Sequence, residues 1–439
     1  MADSTPQHPH NAQQPQHPHA ARRQHGHGHG HGSNGSAGGP PPMDFDKAPF
    51  VVIWETTQSC DLACKHCRAE AQPLRHPDEL TTDEAKAMMT RIREFGRVIF
   101  VFSGGDCLKR PDIVELVRHG TELGMRVAIT PATTPLCTKE IMAELKEAGL
   151  VRLAVSLDGS NPAIHDTFRQ VDGSFDHGLR ILREAREVGL STQVNTVVRR
   201  DNVDDMEAMA LLLAEVGIVF WEVFFLVPMG RAKAEDVAGA DEFEEVFDLM
   251  YDMSKRVPYD IKATAAPQYS RVVVQHKREE NAEQPRVANA GPVQIDVLTS
   301  GKHHSDSDGI GRARNVNDGD GFMFISHTGD IFPSGFLPIK AGNVRDEDLV
   351  DVYRNAPLFV QLRDRENIKG KCGVCNYKGM CGGSRARAYA MTGDAFEAEP
   401  FCSYIPPRWA KAIEEGEAQP DSEYFAERDI WAKKALPLA

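Results

Sequence analysis

From Ala48 onward, short runs of β-branched and aromatic residues alternate with longer stretches that have the hydrophobic period of a helix. The runs predict six β-strands, at residues 50–54, 98–102, 126–130, 152–157, 192–198 and 220–227. The stretches between them predict helices at residues 81–95, 112–123, 138–148, 176–188 and 203–216. Strands that alternate with helices form parallel sheets, and six strands are too few to close an eight-stranded barrel. The pattern therefore predicts an α/β fold, a partial (β/α)6 TIM-like barrel.

The segments outside this barrel differ from it in composition. Residues 1–42 are rich in His, Pro, Gln and Gly, which predicts a disordered tail whose His-Gly repeats are either merely solvated or bind metal ions. The barrel core is expected at residues 47–263, followed at residues 264–320 by an irregular linker or lid. Residues 321–326 and 330–332 have the pattern of a β-hairpin, which opens a C-terminal domain at residues 321–439.

Charge and cysteine content narrow the class of protein. A net charge of −14 disfavours a nucleic-acid partner. No apolar run reaches the roughly 20 residues that span a bilayer, and no signal peptide is expected. The nine cysteines are clustered and odd in number, which favours metal ligation in a reducing compartment over disulfide bonds. We therefore expect a cytoplasmic protein.

Three cysteines directly after the first predicted strand carry the strongest chemical signal. Cys60, Cys64 and Cys67 have the spacing C-x3-C-x2-C in a polar loop. Three thiolates match three corners of a [4Fe–4S] cubane and leave one iron open, whereas clusters that only carry electrons usually have four cysteines. A zinc site that includes His66 and a set of unrelated buried thiols are the alternatives. The spacing resembles the signature of the radical S-adenosylmethionine (SAM) enzymes.

That resemblance implies the partial barrel, a bound SAM molecule and roles for residues at the strand ends. Gly104, Gly105 and Asp106 end the second predicted strand and resemble the family motif that holds the amino group of SAM. His66 stands where the family often has an aromatic residue, and it is expected to stack on adenine. The resemblance further places the following residues against the ribose or carboxylate of SAM: Ser156, Asp158, Arg169 and Asn195.

A second group of cysteines lies in the predicted C-terminal domain: Cys372, Cys375, Cys381 and Cys402. Four thiolates would close every iron of a second cluster and suit it to electron transfer or structural support, with an all-thiolate zinc site as the alternative. The region resembles the auxiliary-cluster domain called SPASM or twitch. Ser334 stands where a full SPASM domain has another cysteine, so we expect one auxiliary [4Fe–4S] cluster.

The segments around Ser334 and after Cys381 resemble the radical SAM enzymes of haem biosynthesis, which remodel porphyrin propionates. The resemblance implies cleavage of SAM to a 5′-deoxyadenosyl radical and oxidative modification of a tetrapyrrole by hydrogen abstraction, with an electron donor such as flavodoxin or ferredoxin. A peptide-modifying SPASM maturase is the alternative, and a non-enzymatic metal-binding scaffold is a third hypothesis. His327, Arg385 and Arg387 are candidates to bind a substrate carboxylate.

Overall fold

One ten-stranded sheet lies at the centre of the computed structural model, which describes residues 43–283 and 316–428. Its strands are β1 (Val51–Glu55), β2 (Ile99–Ser103), β3 (Arg126–Ile129), β4 (Arg152–Ser156), β5 (Ser191–Val198), β6 (Phe220–Phe225), β7 (Asp260–Thr264), β8 (Phe322–Ile325), β9 (Asp330–Phe332) and β10 (Gly342–Asn343). Strands β1 to β7 pair in parallel in chain order, and β8 pairs in parallel with the other edge of β1. Strands β9 and β10 continue that side as antiparallel strands. The open parallel sheet confirms the predicted α/β partial barrel.

Helices alternate with the parallel strands, and all five predicted helices are confirmed. Those of the barrel are α1 (Thr82–Ile92), α2 (Ile113–Glu122), α3 (Lys139–Glu147), α4 (Pro162–Arg169), α5 (Ser174–Glu187), α6 (Met206–Val216), α7 (Ala240–Arg256) and α8 (Tyr269–Glu283). Those of the C-terminal region are α9 (Leu349–Asn355), α10 (Pro357–Arg363), α11 (Gly370–Gly373), α12 (Arg385–Thr392), α13 (Pro407–Glu414) and α14 (Asp421–Ala426). Helix α1 begins with a capping box, because the Thr81 hydroxyl accepts from the Glu84 amide at 3.2 Å and the Glu84 carboxylate accepts from the Thr81 amide at 2.8 Å.

Strand β5 shows how the barrel acquires a polar interior. Its residues alternate strictly between half-buried and fully buried. Val194 and Val198 belong to the hydrophobic core, whereas Gln193 and Asn195 lie on the opposite side and line a central cavity. Because side chains alternate across a strand, a period of two places the core outside the sheet and the functional surface inside it.

The prediction of an irregular linker from residue 264 onward was wrong for residues 269–283, which form α8. Val272 and Val273 of this helix are buried in the main core, and Arg271 forms an ion pair with Glu244 of α7. β-Branched residues have low helix propensity, so packing against α7 decides the conformation here. The count of six strands was also too low, since β7 and β8 extend the parallel sheet at its two sides.

Several predictions concern residues that the structure does not describe. The His-rich tail at residues 1–42 and the part of the expected linker at residues 284–315 lie outside the described residues, so they and the proposed domain boundaries stay predictions. Within the described residues, none of the helices combines the length and the apolar character that a bilayer crossing requires.

Candidate active site

The loop that carries the first three cysteines follows β1 and is held by the glycine pair at the end of β2. The Gly105 amide donates to the Thr57 carbonyl and the Asp106 amide donates to the Ser59 carbonyl, both at 2.7 Å. A Cβ atom on Gly105 would lie only 2.5 Å from the Ser59 oxygen. On Gly104 it would lie 2.6 Å from the Thr57 oxygen. These glycines therefore let two backbones approach each other, and the surface they fit is the cysteine loop.

The three thiols of this loop share a small apolar cluster and each accepts an N–H hydrogen bond. The Leu62 amide donates to Cys60 Sγ and the Ala71 amide to Cys67 Sγ, both at 3.4 Å, and Arg169 donates to Cys64 Sγ at 3.5 Å. Burial raises the pKa of Cys60 to about 12, so its thiolate needs a positively charged partner such as iron. Hydrogen bonds to sulfur and a dry surrounding fit an iron–sulfur cluster.

Arg169 connects the cysteine loop to a fully buried carboxylate. Its guanidinium lies 2.5 Å from Asp158, which also accepts from the Val197 amide at 2.8 Å. Burial would raise the pKa of Asp158, but the charge of Arg169 and its neighbours lowers it to about 2. Asp158 is therefore ionised, and it fixes Arg169 beside Cys64. The structure brings these two predicted SAM-contacting residues together.

The His66 ring lies flat against Phe168, with ring centroids 4.3 Å apart and an interplanar angle of 12°. The Arg199 guanidinium covers Phe168 at 3.6 Å from its centroid. Burial is the main cause that lowers the pKa of His66 to about 3, so the imidazole is neutral. Nearby, buried Nε and Nη2 of Arg231 have no hydrogen-bond partner among the described residues, and neither has Nδ1 of His66. Unpartnered buried donors in a cationic pocket fit an anionic ligand group such as a carboxylate.

The other predicted SAM contacts lie in different surroundings. Asp106 is fully buried, and its carboxylate accepts from the Thr134 hydroxyl at 2.7 Å and from the amides of Leu108 and Ala132. Its role toward the amino group of SAM stays a prediction. Ser156 and Asn195 are neighbours in register across β4 and β5, and Asn195 lines the central cavity.

The C-terminal cysteines line a second cavity of about 380 Å³, part of it open to solvent: Cys372, Cys375, Cys381 and Cys402. Three of these sulfurs accept backbone hydrogen bonds at 3.4 Å. The Glu399 amide donates to Cys372, the Tyr377 amide to Cys375 and the Gly383 amide to Cys381. Burial raises the pKa of all four thiols, that of Cys402 to about 12. The donor set and the N–H···S bonds fit an iron–sulfur cluster. Within the described ranges, no three His, Cys, Asp or Glu side chains are placed to hold a single metal ion.

The central cavity of the barrel occupies about 2130 Å³, including space open to solvent. Its walls carry three cations, Arg68, Arg152 and Lys262, and six phenylalanines: Phe50, Phe220, Phe224, Phe322, Phe324 and Phe336. Arg68 directly follows Cys67; it forms an ion pair with Glu55 and covers the Phe324 ring at 4.4 Å. The Nε and Nη1 atoms of Arg68 make no hydrogen bond within the described part of the chain. The cavity can therefore take a large, flat, apolar molecule that carries carboxylates.

The prediction that Arg385 and Arg387 bind substrate was wrong. Both are buried; Arg387 forms an ion pair with Glu399 at 2.9 Å and donates to the Phe225 carbonyl of β6 at 3.2 Å. Arg385 donates to the carbonyls of Ala395 and Glu397. Arg387 therefore fastens α12 to the barrel, and Arg385 fastens it to the chain that follows α12.

His327 is also buried, and its Nδ1 lies 2.8 Å from Glu55, the partner of Arg68. It therefore lies behind a cavity cation, with Glu55 between the two. Sequence reasoning did not single out the side chains of Arg68, Arg231 and Lys262. The available signal for Arg68 was its position directly after Cys67, the last cysteine of the predicted cluster motif.

Comparisons with known proteins agree with this geometry. Residues 54–213 match the family model described as the radical SAM superfamily. The chain is 39% identical over 359 residues to the AdoMet-dependent heme synthase of Methanosarcina barkeri (strain Fusaro / DSM 804), a match that covers 82% of this chain and 97% of that protein. The corresponding protein of Nitratidesulfovibrio vulgaris is 40% identical over 360 residues, with 82% and 93% covered.

Among solved structures, the chain resembles Streptococcus suis SuiB bound to the precursor peptide SuiA. The TM-score is 0.59 and the sequence identity 17%, with 82% of this chain and 76% of that chain covered. At this identity the likeness concerns the fold alone.

Proposed function

Because this chain belongs to the radical SAM superfamily, in the family of the AdoMet-dependent heme synthases, we propose that it oxidatively modifies a propionate side chain of a tetrapyrrole. The protein is a radical SAM enzyme, and enzymes of this kind use a [4Fe–4S] cluster and SAM. The observation that supports the substrate class is the aromatic central cavity with cations in its wall.

Cys60, Cys64 and Cys67 would hold the SAM-binding cluster, and the cationic pocket beside them would hold SAM. Arg231 has the unpartnered donors for the SAM carboxylate, while Arg169 is held by Asp158. When bound, cluster and SAM supply a carbon-centred radical that removes one hydrogen atom from the substrate. The protein's own contribution is to orient these groups and to exclude water from the site.

The three cations lie at different places in the cavity wall. Arg68 lies at the cysteine-loop end, whereas Arg152 lies at the start of β4, 5.2 Å from the Phe220 centroid. Lys262 Nζ lies 3.1 Å from Glu222 on the neighbouring strand. A propionate carboxylate bound by Nε and Nη1 of Arg68 would bring the methylene groups of that propionate near the radical site. Arginine suits this task because its planar fork binds carboxylates bidentately.

Loss of one hydrogen atom from the methylene of the propionate attached to the ring leaves a substrate radical. Breaking the bond to the carboxylate then releases CO2 and one electron and leaves a vinyl group. When bound at the four C-terminal cysteines, the auxiliary cluster would supply the acceptor for that electron. The electron that starts SAM cleavage would come from a flavodoxin or a ferredoxin. A reducing, cytoplasmic compartment suits this chemistry and the nine cysteines, all of which are unpaired thiols.

The decisive experiment incubates the anaerobically reconstituted enzyme with SAM, dithionite and iron-coproporphyrin. We expect deoxyadenosine together with a porphyrin product that has lost CO2 and two hydrogen atoms per modified propionate. The Cys64→Ala variant is the matched control and should release no deoxyadenosine. Deoxyadenosine release with an unchanged porphyrin, and a mass change in a candidate precursor peptide instead, would replace the proposal by the peptide-maturase alternative.

A further inference from the structure

The segment at residues 265–271, which enters α8, contributes to the walls of both cavities described above. Ala265, Pro267 and Tyr269 line the central cavity. Gln268 and Arg271 line the cavity of the four C-terminal cysteines. Met380 likewise lines the central cavity, beside Cys381 of the cysteine site, so the two cavities share two boundary segments. Gln268 is the residue of this segment to consider, because it lines the cysteine cavity and its side-chain amide has no hydrogen-bond partner among the described residues.

The side-chain amide of Gln268 is buried and has no hydrogen-bond partner within the described residues. The residue is 1% exposed, and neither Nε2 nor Oε1 has a hydrogen-bond partner in the described part of the chain. A buried amide without a partner costs about 1–3 kcal/mol, so such groups are nearly always satisfied in a working protein. The unpaired amide therefore indicates that something else occupies this cavity when the protein functions.

The other polar side chains of this cavity already have partners. Arg271 donates to Gln275 at 2.6 Å and also pairs with Glu244. Lys371 donates to the Cys402 carbonyl at 2.5 Å. The Tyr404 hydroxyl donates to the Asn376 side chain at 2.9 Å. Gln268 thus differs from these neighbours, because both polar atoms of its side-chain amide are available to a group bound in the cavity.

We propose that Nε2 of Gln268 donates a hydrogen bond to a sulfur of the auxiliary cluster and thereby raises its reduction potential. This inference rests on the auxiliary cluster of the proposed function and not on the identity of the substrate. A reduced cluster carries one more negative charge, so a fixed donor stabilises the reduced form more than the oxidised form. Through this hydrogen bond Gln268 favours electron transfer from the central cavity to the cluster.

The test uses the full chain with Cys60, Cys64 and Cys67 replaced by Ala, so that only the auxiliary cluster forms. In this background, EPR-monitored redox titration compares the parent with Gln268→Met, which removes the donor at similar volume. We expect about a tenfold shift of the reduction equilibrium toward the oxidised form, which for a one-electron couple is about 59 mV lower. Gln361→Met, on an exposed position of α10, is the control and should leave the potential unchanged.

A second measurement covers the case in which Gln268→Met loses its cluster. Pulsed EPR of the parent background, labelled with 15N in the glutamine side-chain amide, should show a 15N coupling to the reduced cluster. A cluster with no such coupling would overturn the role of Gln268 and leave the proposed function intact. Failure of the four C-terminal cysteines to assemble a cluster would instead refute the auxiliary-cluster part of the proposed function, and with it this inference.

Discussion

Replacing Gly105 with Ala should disable the SAM-binding cluster without unfolding the protein. The new Cβ would lie 2.5 Å from the Ser59 oxygen and 2.6 Å from the Gln58 oxygen, whereas ordinary van der Waals contacts begin at 3.4 Å. Both obstacles are backbone atoms, so they cannot rotate away. The cysteine loop must therefore retreat by about 1 Å, and displacements of that size at a reacting centre cost about 100-fold in rate.

The assay counts iron and measures deoxyadenosine release after anaerobic reconstitution. The parent should hold about eight irons in two clusters, and the variant should hold about four if the displaced loop no longer binds iron. If the loop still binds its cluster, SAM cleavage should slow by about 100-fold. Gly379→Ala is the control, because a Cβ there meets nothing within 4 Å. A Gly105→Ala enzyme with about eight irons and the parent rate would refute the claim that this glycine holds the loop in place.

Three further predictions concern the cavity, pH dependence and the C-terminal region. Arg68→Gln should raise the KM for iron-coproporphyrin about tenfold, by loss of a charge-assisted hydrogen bond, and Arg68→Lys should raise it less; an unchanged KM would contradict substrate binding by Arg68. Burial lowers the pKa of His165 from 6.5 to about 4, so between these values only the unfolded chain binds the proton and stability falls as pH falls. Urea unfolding of the parent relative to His165→Gln should show this loss as about 2 kcal/mol between pH 7 and pH 5, and a constant difference would refute it. Arg387→Met should destabilise the protein by about 3–5 kcal/mol because it leaves Glu399 buried and unpaired, and adding Glu399→Leu should restore most of that loss in the same measurement.

The elements that could be predicted from sequence are those that depend on local pattern. The strand runs, the capping box of Thr81 and Glu84, and the spacing of both cysteine groups are visible within a few residues of chain. Strand β7 was missed because its inward side carries Lys262, whose charge hides a strand pattern until the barrel supplies Glu222 as a partner. Helix α8 was missed because its valines favour strands until α7 packs on them.

The site was harder to predict where contacts join distant parts of the chain. The hydrogen bond between His327 and Glu55 joins residues 272 positions apart, and no local sequence pattern around either residue predicts it. The same holds for Arg387. Its sequence context is that of an exposed helix residue, but it is buried because β6 and Glu399 supply hydrogen-bond acceptors for its guanidinium. The sequence predicted that the glycine pair after β2 holds the amino group of SAM, and it gave no sign that the same pair packs against the backbone of the cysteine loop.

The pairing of β8 with β1 has a consequence for how this protein can be divided. Val51 to Trp54 align with Phe322 to Ile325, so the strand that leads into the cysteine loop is an interior strand only while the C-terminal region is attached. A fragment ending before β8 would leave the edge of β1 exposed. Its unpaired N–H and C=O groups could then pair with a strand of another molecule. Both cysteine sites should therefore fold and melt as one cooperative unit. Domain shuffling or truncation here is expected to yield aggregates and not a smaller enzyme.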